Sequence, residues 1–427
     1  MIHLSSDLTY PTQCPACGTI EVTGQVRFAG AVTIARANCP VCGIAFYQTL
    51  PNGQFNRFPI AVSTDGRAVR AARRGRWLVK LVMNCGAVFE NEGNRPALAQ
   101  TCSIINSTLG TSVPDVLLLF CLDDCYGHAL MMLFNAQRHY EQPQRRTVPN
   151  RPIIAVVPRA LAWLVPDYVA ETWVVDQPIA SLDRAVSGFD RFVKQQLKRF
   201  GTVWFSKGHI HFDHRTTRFA DFTRTRKFEL PQFDQGVTRH ITFVLREDRL
   251  WLRSGSERWL YRACQRLGFL PKTHALWVRW QVHRYRQLAN HLRQTYPTCQ
   301  ITITGLTNSR ITGFDGLIDD RRQPAPLPTE QERTWCAQYA RSHVVVGVHG
   351  SGMLLPTSLA AGFVNLLPPD KLPHYAEDVL LAHENPIHQT LLGRFLPTSA
   401  SPRQVAALIA SMLTEFPVWL AEERERG

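Results

Sequence analysis

The stretch Val344-Val345-Val346-Gly347-Val348-His349-Gly350-Ser351-Gly352-Met353-Leu354-Leu355 carries the sharpest structural signal in the sequence. Its β-branched run is typical of a buried strand, and the run stops at His-Gly-Ser-Gly, directly before a helical pattern. Glycines at such a turn let backbone N–H groups approach an anion at the positive end of a helix. The turn therefore predicts a phosphate site or, alternatively, an ordinary tight strand-to-helix connection. The glycine spacing excludes a GxGxxG dinucleotide fingerprint.

Short apolar runs alternate with helical patterns on both sides of this stretch. The predicted strands are 77–83, 115–122, 153–157, 172–176, 202–205, 240–245, 275–280, 300–304, 343–348 and 363–367. Helical patterns cover 127–140, 182–200, 257–267, 281–296, 330–341, 352–361, 402–415 and 418–425. Such alternation predicts parallel sheets covered by helices on both faces. We therefore expect an α/β fold with two doubly wound, Rossmann-like domains.

Shifts in the pattern give the expected domain boundaries. These are a small β-rich module at 1–50, an Arg-rich linker at 51–76, α/β domains at 77–235 and 236–400, and C-terminal helices at 401–427. The 427 residues are 45% hydrophobic and 19% charged, a composition that suits large buried cores. Disordered and fibrous proteins are excluded.

Four of the eleven cysteines form two matched Cys-Pro-x-Cys-Gly motifs, Cys14 with Cys17 and Cys39 with Cys42. The glycine permits a tight turn that aims backbone N–H groups at sulfur, and four thiolates suit tetrahedral Zn²⁺. No fifth ligand position is evident, so a structural zinc site is predicted. Two disulfides or a redox pair are the alternatives, but nothing indicates an oxidising compartment. The segment resembles a zinc ribbon, a module that binds nucleic acid in some proteins and only scaffolds in others.

The net charge of +14 is unevenly distributed. Residues 201–300 hold 18 basic and 7 acidic side chains, which excludes a uniformly basic coat. Such a concentration predicts an anionic partner, which is a nucleic acid, a lipid headgroup or a phosphorylated ligand. No signal-peptide pattern and no membrane-spanning run is visible, so we expect a cytoplasmic protein. Peripheral attachment to a membrane through arginines stays open.

The segment from Thr329 to Pro368 resembles the C-terminal signature of glycosyltransferase family 61. It combines a Glu/Gln-containing helix start, a Val-rich strand, a His-Gly-x-Gly turn and a second strand that ends in a Pro-containing loop. Two weaker similarities lie upstream. Ile241–Arg246 resembles a family strand that ends in an arginine, and Asp123–Leu130 resembles a His-containing helix start. The resemblance covers about residues 77–400.

This resemblance implies a GT-B architecture and the transfer, with inversion, of a sugar from a nucleotide-sugar donor to a glycan or lipid-linked acceptor. The donor diphosphate would lie at the helix start after His349, where Arg246 would neutralise its charge as the nucleotide leaves. The predicted donor-site residues are Arg246, His349, Gly350, Ser351, Gly352 and Asn365. Asn365 stands where the family often has a Glu that would meet the donor ribose. Ser351-Gly352-Met353 replaces the family's Ala-Gly-Leu.

Three side chains are candidates for the base that activates the acceptor hydroxyl. Asp123, Asp124 and His128 follow the predicted strand 115–122, at the carboxyl end where open α/β sheets place their sites. We favour His128 or Asp124, and the alternative for His128 is a helix-capping or core histidine. The sequence contains no Asp-x-Asp motif, so we expect transfer without a catalytic metal.

A histidine-rich segment suggests a different class of enzyme. Residues 209–214 read His-Ile-His-Phe-Asp-His and match the HxHxDH pattern of metallo-β-lactamase-type hydrolases, which bind two Zn²⁺ ions. Arginines and threonines follow instead of a Gly-containing turn, and the later histidines lie in helical patterns or in the glycine turn. A loop or an acceptor-binding segment is therefore the favoured interpretation.

Basic and aromatic residues interleave in the segment 207–228. Its basic residues include Arg215, Arg218, Arg224, Arg226 and Lys227, and its rings are Phe212, Phe219, Phe222 and Phe228. This pattern suits single-stranded nucleic acid, and it also suits an anionic acceptor or a solvated face. A zinc-ribbon nucleic-acid-binding protein is accordingly the alternative function.

Overall fold

The fold comes from a computed structural model that describes residues 1–56, 59–71, 76–91, 102–110, 113–145, 150–211, 214–236, 238–308, 314, 316–381, 383 and 385–426. The chain divides into two compact units, Met1–Phe212 and Asp213–Gly427. Each unit contains one six-stranded sheet with parallel central strands, and the first unit carries an additional antiparallel sheet.

The first unit begins with β1 (Ile2–Leu4), which is followed by the antiparallel sheet. Its strands pair in chain order and are β2 (Thr9–Thr12), β3 (Val22–Phe28), β4 (Thr33–Asn38), β5 (Ala45–Thr49), β6 (Ile60–Ser63) and β7 (Val69–Ala71). Alternate side chains of β3 are buried, as expected for a sheet with one face on a core. The hairpin of β3 and β4 lies between the two cysteine pairs.

The antiparallel sheet continues into the segment expected as an Arg-rich linker. Ile60 and Val62 are buried and belong to the same core as Ile34 on β4, so residues 60–71 are sheet rather than connector. The physical reason is that Ile60 and Val62 are β-branched, and such side chains suit a sheet with one face on a core. The neighbouring arginines and glycines do not prevent this pairing.

The expected strand 77–83 is instead the start of α1 (Arg76–Asn91). Leu81, Val82 and Cys85 are buried while Trp77 is 52% exposed. Buried positions three and four residues apart follow the period of a helix, and a short apolar run alone does not distinguish the two structures.

The second sheet of the first unit has four parallel inner strands and two antiparallel edges. Its strand order is β1-β12-β9-β10-β11-β8. The strands are β8 (Cys102–Ser107), β9 (Val113–Phe120), β10 (Ile153–Pro158), β11 (Glu171–Val175) and β12 (Phe200–Phe205). The accompanying helices are α2 (Tyr126–Leu133), α3 (Asn135–Arg145) and α4 (Phe189–Leu197). The direction in which successive strands are added reverses between β9 and β12.

The sheet of the second unit is entirely parallel. After α5 (Phe219–Thr223), the strands are β13 (His240–Val244), β14 (Gln300–Thr304), β15 (Asp319–Asp320), β16 (Val344–Val348), β17 (Gly362–Leu367) and β18 (Gly393–Pro397). Their order is β15-β14-β13-β16-β17-β18, which is the doubly wound order 3-2-1-4-5-6 when counted from β13. The order therefore reverses between β13 and β16.

Helices connect these strands and complete the core of the second unit. They are α6 (Gly255–Arg266), α7 (Leu270–Thr295), α8 (Thr329–Ala340), α9 (Leu354–Leu359), α10 (Pro386–Leu392) and α11 (Pro402–Arg426). The expected strand 275–280 is wrong, because these residues continue α7, where Leu276 and Trp280 are exposed instead of paired in a sheet. The two expected terminal helices form one.

Residues Pro402–Glu423 of α11 are, in the described part of the chain, the one stretch long and apolar enough to cross a membrane. Val405, Ile409, Met412 and Phe416 recur every three or four residues and are buried in the core of the unit. A core helix accounts for this composition. The predicted α/β class is confirmed by the two parallel-centred sheets with a β-rich segment before them.

Candidate functional site

The glycine turn lies at the point where the strand order of the second unit reverses. β13 ends before Arg246, and β16 ends before His349, so both residues follow the carboxyl ends of adjacent strands. In open α/β sheets, ligands bind in the crevice that such a reversal opens. The fold therefore brings Arg246 and the turn 349–352 to the location where a ligand site is expected.

Two arginines lie directly over the glycines of this turn. A Cβ atom added at Gly350 would be 2.0 Å from Arg249 Nη1, and one added at Gly352 would be 2.7 Å from Arg246 Cδ. Arg249 Nη1 also donates to the His349 carbonyl oxygen at 3.0 Å. The glycines thus leave room for the Arg249 guanidinium group at Gly350 and for the Arg246 side chain at Gly352.

The two guanidinium groups differ in their partners. Arg246 donates two hydrogen bonds to the Asp248 carboxylate, at 2.9 and 2.7 Å, and the Asp248 side chain is 58% exposed. Arg249 has no carboxylate within ion-pair distance among the described residues. The turn therefore carries one compensated and one uncompensated positive charge.

The side chain of His349, at the start of the turn, is held by buried polar contacts. Its side chain is fully buried, Asn365 Nδ2 donates to its Nδ1 at 3.0 Å, and its Nε2 lies 3.4 Å from Asp378 Oδ2. Burial lowers the pKa of His349, and the charge of Arg249 adds to this effect while that of Asp378 opposes it. The ring is accordingly neutral, with its proton on the nitrogen that faces Asp378. Asn365 is itself fully buried on β17.

The predicted base candidates lie at the corresponding reversal in the first unit. Asp123 follows β9, next to β12, and it is buried. Its Oδ1 lies 3.1 Å from His128 Nδ1 and accepts from the Cys125 N–H at 2.8 Å. Its Oδ2 accepts from Gln54 Nε2 at 2.7 Å. The structure thus brings Asp123 and His128 together and adds Gln54, which the sequence reasoning missed.

Asp124 is held close to a second carboxylate. It lines a small concavity together with Gln54, Asp123 and Asp183. Partial burial, followed by the charge of Asp123 and a hydrogen bond with it, raises the pKa of Asp124 to about 6. A carboxyl group with a pKa in this range exchanges protons near neutral pH.

The four motif cysteines converge between the turns of the antiparallel sheet. Their sulfur atoms lie within 4.8 Å of one another, with 3.6 Å between Cys14 and Cys42 and 3.5 Å between Cys17 and Cys39. Gly18 and Gly43 both have left-handed backbones, with φ of 81° and 72°, as expected for the motif's turns. The cluster could hold a metal ion. A hydrogen bond to Thr19 Oγ1 lowers the pKa of Cys17 to about 6, which favours the thiolate.

The two alternative segments receive less support from the geometry. Asn56 and His209 share a hydrogen bond, Asn135 donates to the His209 backbone, and Asp213 lies outside the described residues. In the described part of the chain, the four cysteines form the one cluster suited to a metal. Of the interleaved rings, Phe219 and Phe222 are buried, and Phe228 packs partly against the core of the second unit. Buried rings are not available to stack on bases. Phe212 lies outside the described residues.

Arg249 is the main residue beside the glycine turn that sequence reasoning missed. The signal was its spacing from Arg246, because Arg249 N–H donates to the Arg246 carbonyl oxygen at 3.1 Å in a tight turn. Asp378 carried no local signal, since it lies in an irregular segment after β17. The roles assigned to all these residues remain predictions.

No protein-family profile and no curated protein matches the chain. Among solved structures, the ADP-heptose LPS heptosyltransferase II of E. coli is similar at 12% identity and a TM-score of 0.39, over 71% of this chain and 99% of that one. A glycotransferase of kitacinnamycin is similar at 9% identity and a TM-score of 0.28, over 78% of this chain and 66% of the other. A trehalose-6-phosphate structure from E. coli, bound with UDP-2-fluoro glucose, reaches 11% identity and a TM-score of 0.23, over 72% and 66%. At these scores the similarities carry no argument about this chain.

Proposed function

We propose that the chain is a glycosyltransferase related to family 61, of GT-B type, which moves a sugar from a nucleotide-sugar donor to a glycan or lipid-linked acceptor with inversion. The observation that carries the proposal is the pair Arg246 and Arg249 over the glycine turn at the strand-order reversal. This location in an open α/β sheet and two guanidinium groups beside a glycine turn together suit a diphosphate.

On the donor side, the arginines would act on the leaving group. Arg249 supplies the charge that no described carboxylate compensates, and Arg246 exchanges Asp248 for a phosphate oxygen. Both interactions strengthen as negative charge develops on the departing nucleotide, which is the condition for faster chemistry. The buried His349 and Asn365 would hold the turn in place, while Gly350, Ser351 and Gly352 present backbone to the diphosphate.

On the acceptor side, we assign the base to the Asp123–His128 pair or to Asp124. The Asp123 carboxylate is the strongest acceptor near His128 Nδ1, and it favours the tautomer with the proton on that nitrogen. The lone pair then lies on Nε2, the atom that would accept the proton of the acceptor hydroxyl. Asp124 is the second candidate because its raised pKa makes it a better base than an ordinary carboxylate.

The cysteine cluster is proposed to hold one structural Zn²⁺. In tetrahedral coordination with Zn–S bonds of about 2.3 Å, the sulfur atoms lie roughly 3.8 Å apart, close to the separations of 3.6 Å between Cys14 and Cys42 and 3.5 Å between Cys17 and Cys39. Bound zinc would cross-link the two turns of the antiparallel sheet. We assign the charge stabilisation during transfer to the arginines and the location of the enzyme to the cytoplasm.

A panel of nucleotide sugars, scored for hydrolysis and for thermal stabilisation, tests the function. We expect one nucleoside diphosphate and its sugar derivative to raise the melting temperature, and Arg246→Ala with Arg249→Ala to abolish this shift. Arg321→Ala is the matched control. Arg321 is also paired with a neighbouring aspartate, Asp319, but it follows the edge strand β15, which two strands separate from β16. Absence of any response, or an unchanged response in the double variant, contradicts the proposal.

Nucleic-acid binding is the second candidate, and the same protein distinguishes it. Single-stranded oligonucleotides that bind tightly, with an affinity that falls steeply with salt, would favour it. We expect weak binding because Phe219 and Phe222 are buried.

A further inference from the structure

Helix α6 and the first half of α7 form a helical hairpin that the core of the second unit does not cover. We call residues 255–283 the α6–α7 hairpin. Every residue of α6 is at least partly exposed, and the buried residues of α7 begin at Val278. The hairpin therefore contributes little to the core while presenting two helices to solvent.

Large apolar side chains are exposed along this hairpin. Trp259 is 70% exposed, Leu267 is 68% exposed and Leu276 is 63% exposed. The complete set is Trp259, Leu260, Leu267, Phe269, Leu276 and Trp280. Leu276 and Trp280 are four residues apart and so share one side of α7. Single exposed apolar residues are ordinary, but six within one helical hairpin indicate an interaction surface.

The hairpin carries an excess of positive charge. Residues 258–296 contain eight basic residues and no acidic residue. Within the hairpin, Glu257 is the one acidic residue, and it is paired with Arg284 at the base, where Ser254 caps α6. No carboxylate of the described residues lies within ion-pair distance of the other basic residues of the hairpin, which are Arg258, Arg262, Arg266, Lys272 and Arg279.

The exposed apolar side chains lie on a hairpin whose two helices contact each other. Glu257 and Arg284 join α6 to α7, and the rings of Tyr261 and Trp277 contact edge to face with centroids 5.4 Å apart. Ser254 Oγ accepts from the Glu257 N–H at 3.0 Å and satisfies the start of α6. The two helices are thus fixed to each other independently of the exposed side chains.

We propose that the α6–α7 hairpin docks on the surface of an anionic lipid bilayer. Tryptophan, phenylalanine and leucine side chains enter the boundary between headgroups and acyl chains, and the arginines and Lys272 pair with acidic headgroups. Charge complementarity favours this occupant, because a basic surface that also exposes aliphatic side chains suits lipid better than nucleic acid. The apolar residues Val405, Ile409, Met412 and Phe416 of α11, by contrast, are buried in the core. This inference does not depend on the proposed function.

Vesicle flotation with the full-length protein tests the proposal. We expect binding to vesicles of phosphatidylglycerol mixed with phosphatidylcholine, and little binding to phosphatidylcholine alone. A charge variant, Arg262→Gln with Arg266→Gln and Arg279→Gln, should lower the partition coefficient about fivefold for each arginine, or about 1 kcal/mol each. An apolar variant, Trp259→Ser with Leu276→Ser, should lose binding at unchanged charge.

A control changes two other exposed apolar residues of the unit, Val418 (59% exposed) and Ile387 (47% exposed). Val418→Ser with Ile387→Ser should leave vesicle binding unchanged. Circular dichroism checks that each variant is folded. Three outcomes overturn the proposal: equal binding of the hairpin variants and the wild type, equal binding to neutral vesicles, or a dimer in place of vesicle binding that the apolar variant dissociates. Oligonucleotide binding that the charge variant removes, without vesicle binding, equally overturns it.

Discussion

The residue on which the proposed donor site depends most closely is Gly350. Its φ of 149° disfavours any side chain, and a Cβ atom there would meet the Arg249 guanidinium. We expect Gly350→Ala to cost about 1–3 kcal/mol of unfolding free energy and to lower nucleoside diphosphate affinity at least about tenfold, because Arg249 must move. Calorimetry and denaturant unfolding measure both quantities.

Gly268→Ala is the control for backbone strain alone. Gly268 has a φ of 71° and open space around its Cβ position, so the change should cost about 1 kcal/mol and leave nucleotide affinity unaltered. If both alanine variants lost the same stability and bound nucleotide equally well, the close approach of Arg249 would have no role in binding.

Asp124 gives a prediction about pH. Its pKa in the folded chain, about 6, exceeds the ordinary value of 3.8, so folding favours its protonated form. The associated stability is present below the ordinary pKa and is lost as pH rises through about 6. Relative to Asp124→Asn, the wild type should therefore lose unfolding free energy between about pH 4 and pH 6. Urea unfolding across this range measures the difference, and parallel curves for the two proteins would contradict the raised pKa.

Catalysis should show the opposite trend over the same range. A protonated Asp124 carboxyl group cannot accept a proton, so kcat/KM should fall as pH drops through about 6. This acidic limb belongs to Asp124. A rate that is flat from about pH 5 to pH 8 would remove this group from the chemistry.

At the scale of elements, the sequence predicted buried strands well and exposed or isolated ones poorly. β14 matches its predicted bounds, and β16 and β17 differ by one residue, because short runs of buried apolar or β-branched residues leave few alternatives. The segments 77–83 and 275–280 failed for a shared reason: a few apolar residues suit a strand or one side of a helix equally. β15 has two exposed residues, and no periodicity could announce it.

The glycine turn at residues 349–352 was predictable from the sequence, whereas the side chains that support each candidate site were not. The turn 349–352 and Arg246 each follow a strand with a strong local pattern. Gln54 reaches Asp123 from 69 residues away in sequence, and Asp378 reaches His349 from an irregular segment. Such partners depend on tertiary packing, which no single-sequence periodicity encodes.

The cysteine cluster is an element whose metal content can be measured. We expect one zinc per chain, its loss in Cys14→Ser, and a lower melting temperature when a chelator removes it, because Cys14 and Cys39 share a small core with Phe46 of the antiparallel sheet. Elemental analysis and thermal denaturation give both results. Cys264→Ser, on α6, should change neither. Three zinc ions per chain would instead revive the hydrolase interpretation of residues 209–214.

At the scale of the whole molecule, the two sheets with parallel central strands share one feature of their topology. Each reverses its strand order once, between β9 and β12 or between β13 and β16, and each places polar residues after the strands at that point. The basic excess of residues 201–300 is divided between two places. It includes Arg246 and Arg249 beside the glycine turn, and it includes the basic residues of the α6–α7 hairpin. A single anionic partner is therefore not required to explain the net charge of +14.

Because the two candidate sites belong to separate compact units, their functions should separate in mutants. Asp123→Asn should lower the transfer rate about 10²–10⁴-fold while leaving nucleoside diphosphate affinity unchanged, since Asp123 lies in the first unit. Arg249→Ala should lower that affinity directly. Asp176→Asn is the control, because Asp176 follows β11 at the same sheet edge, away from the reversal. Single-turnover kinetics and calorimetry on each variant separate the two effects. A loss of nucleotide affinity in Asp123→Asn would mean that the first unit also binds the donor, and the assignment of donor and acceptor sites to different units would be wrong.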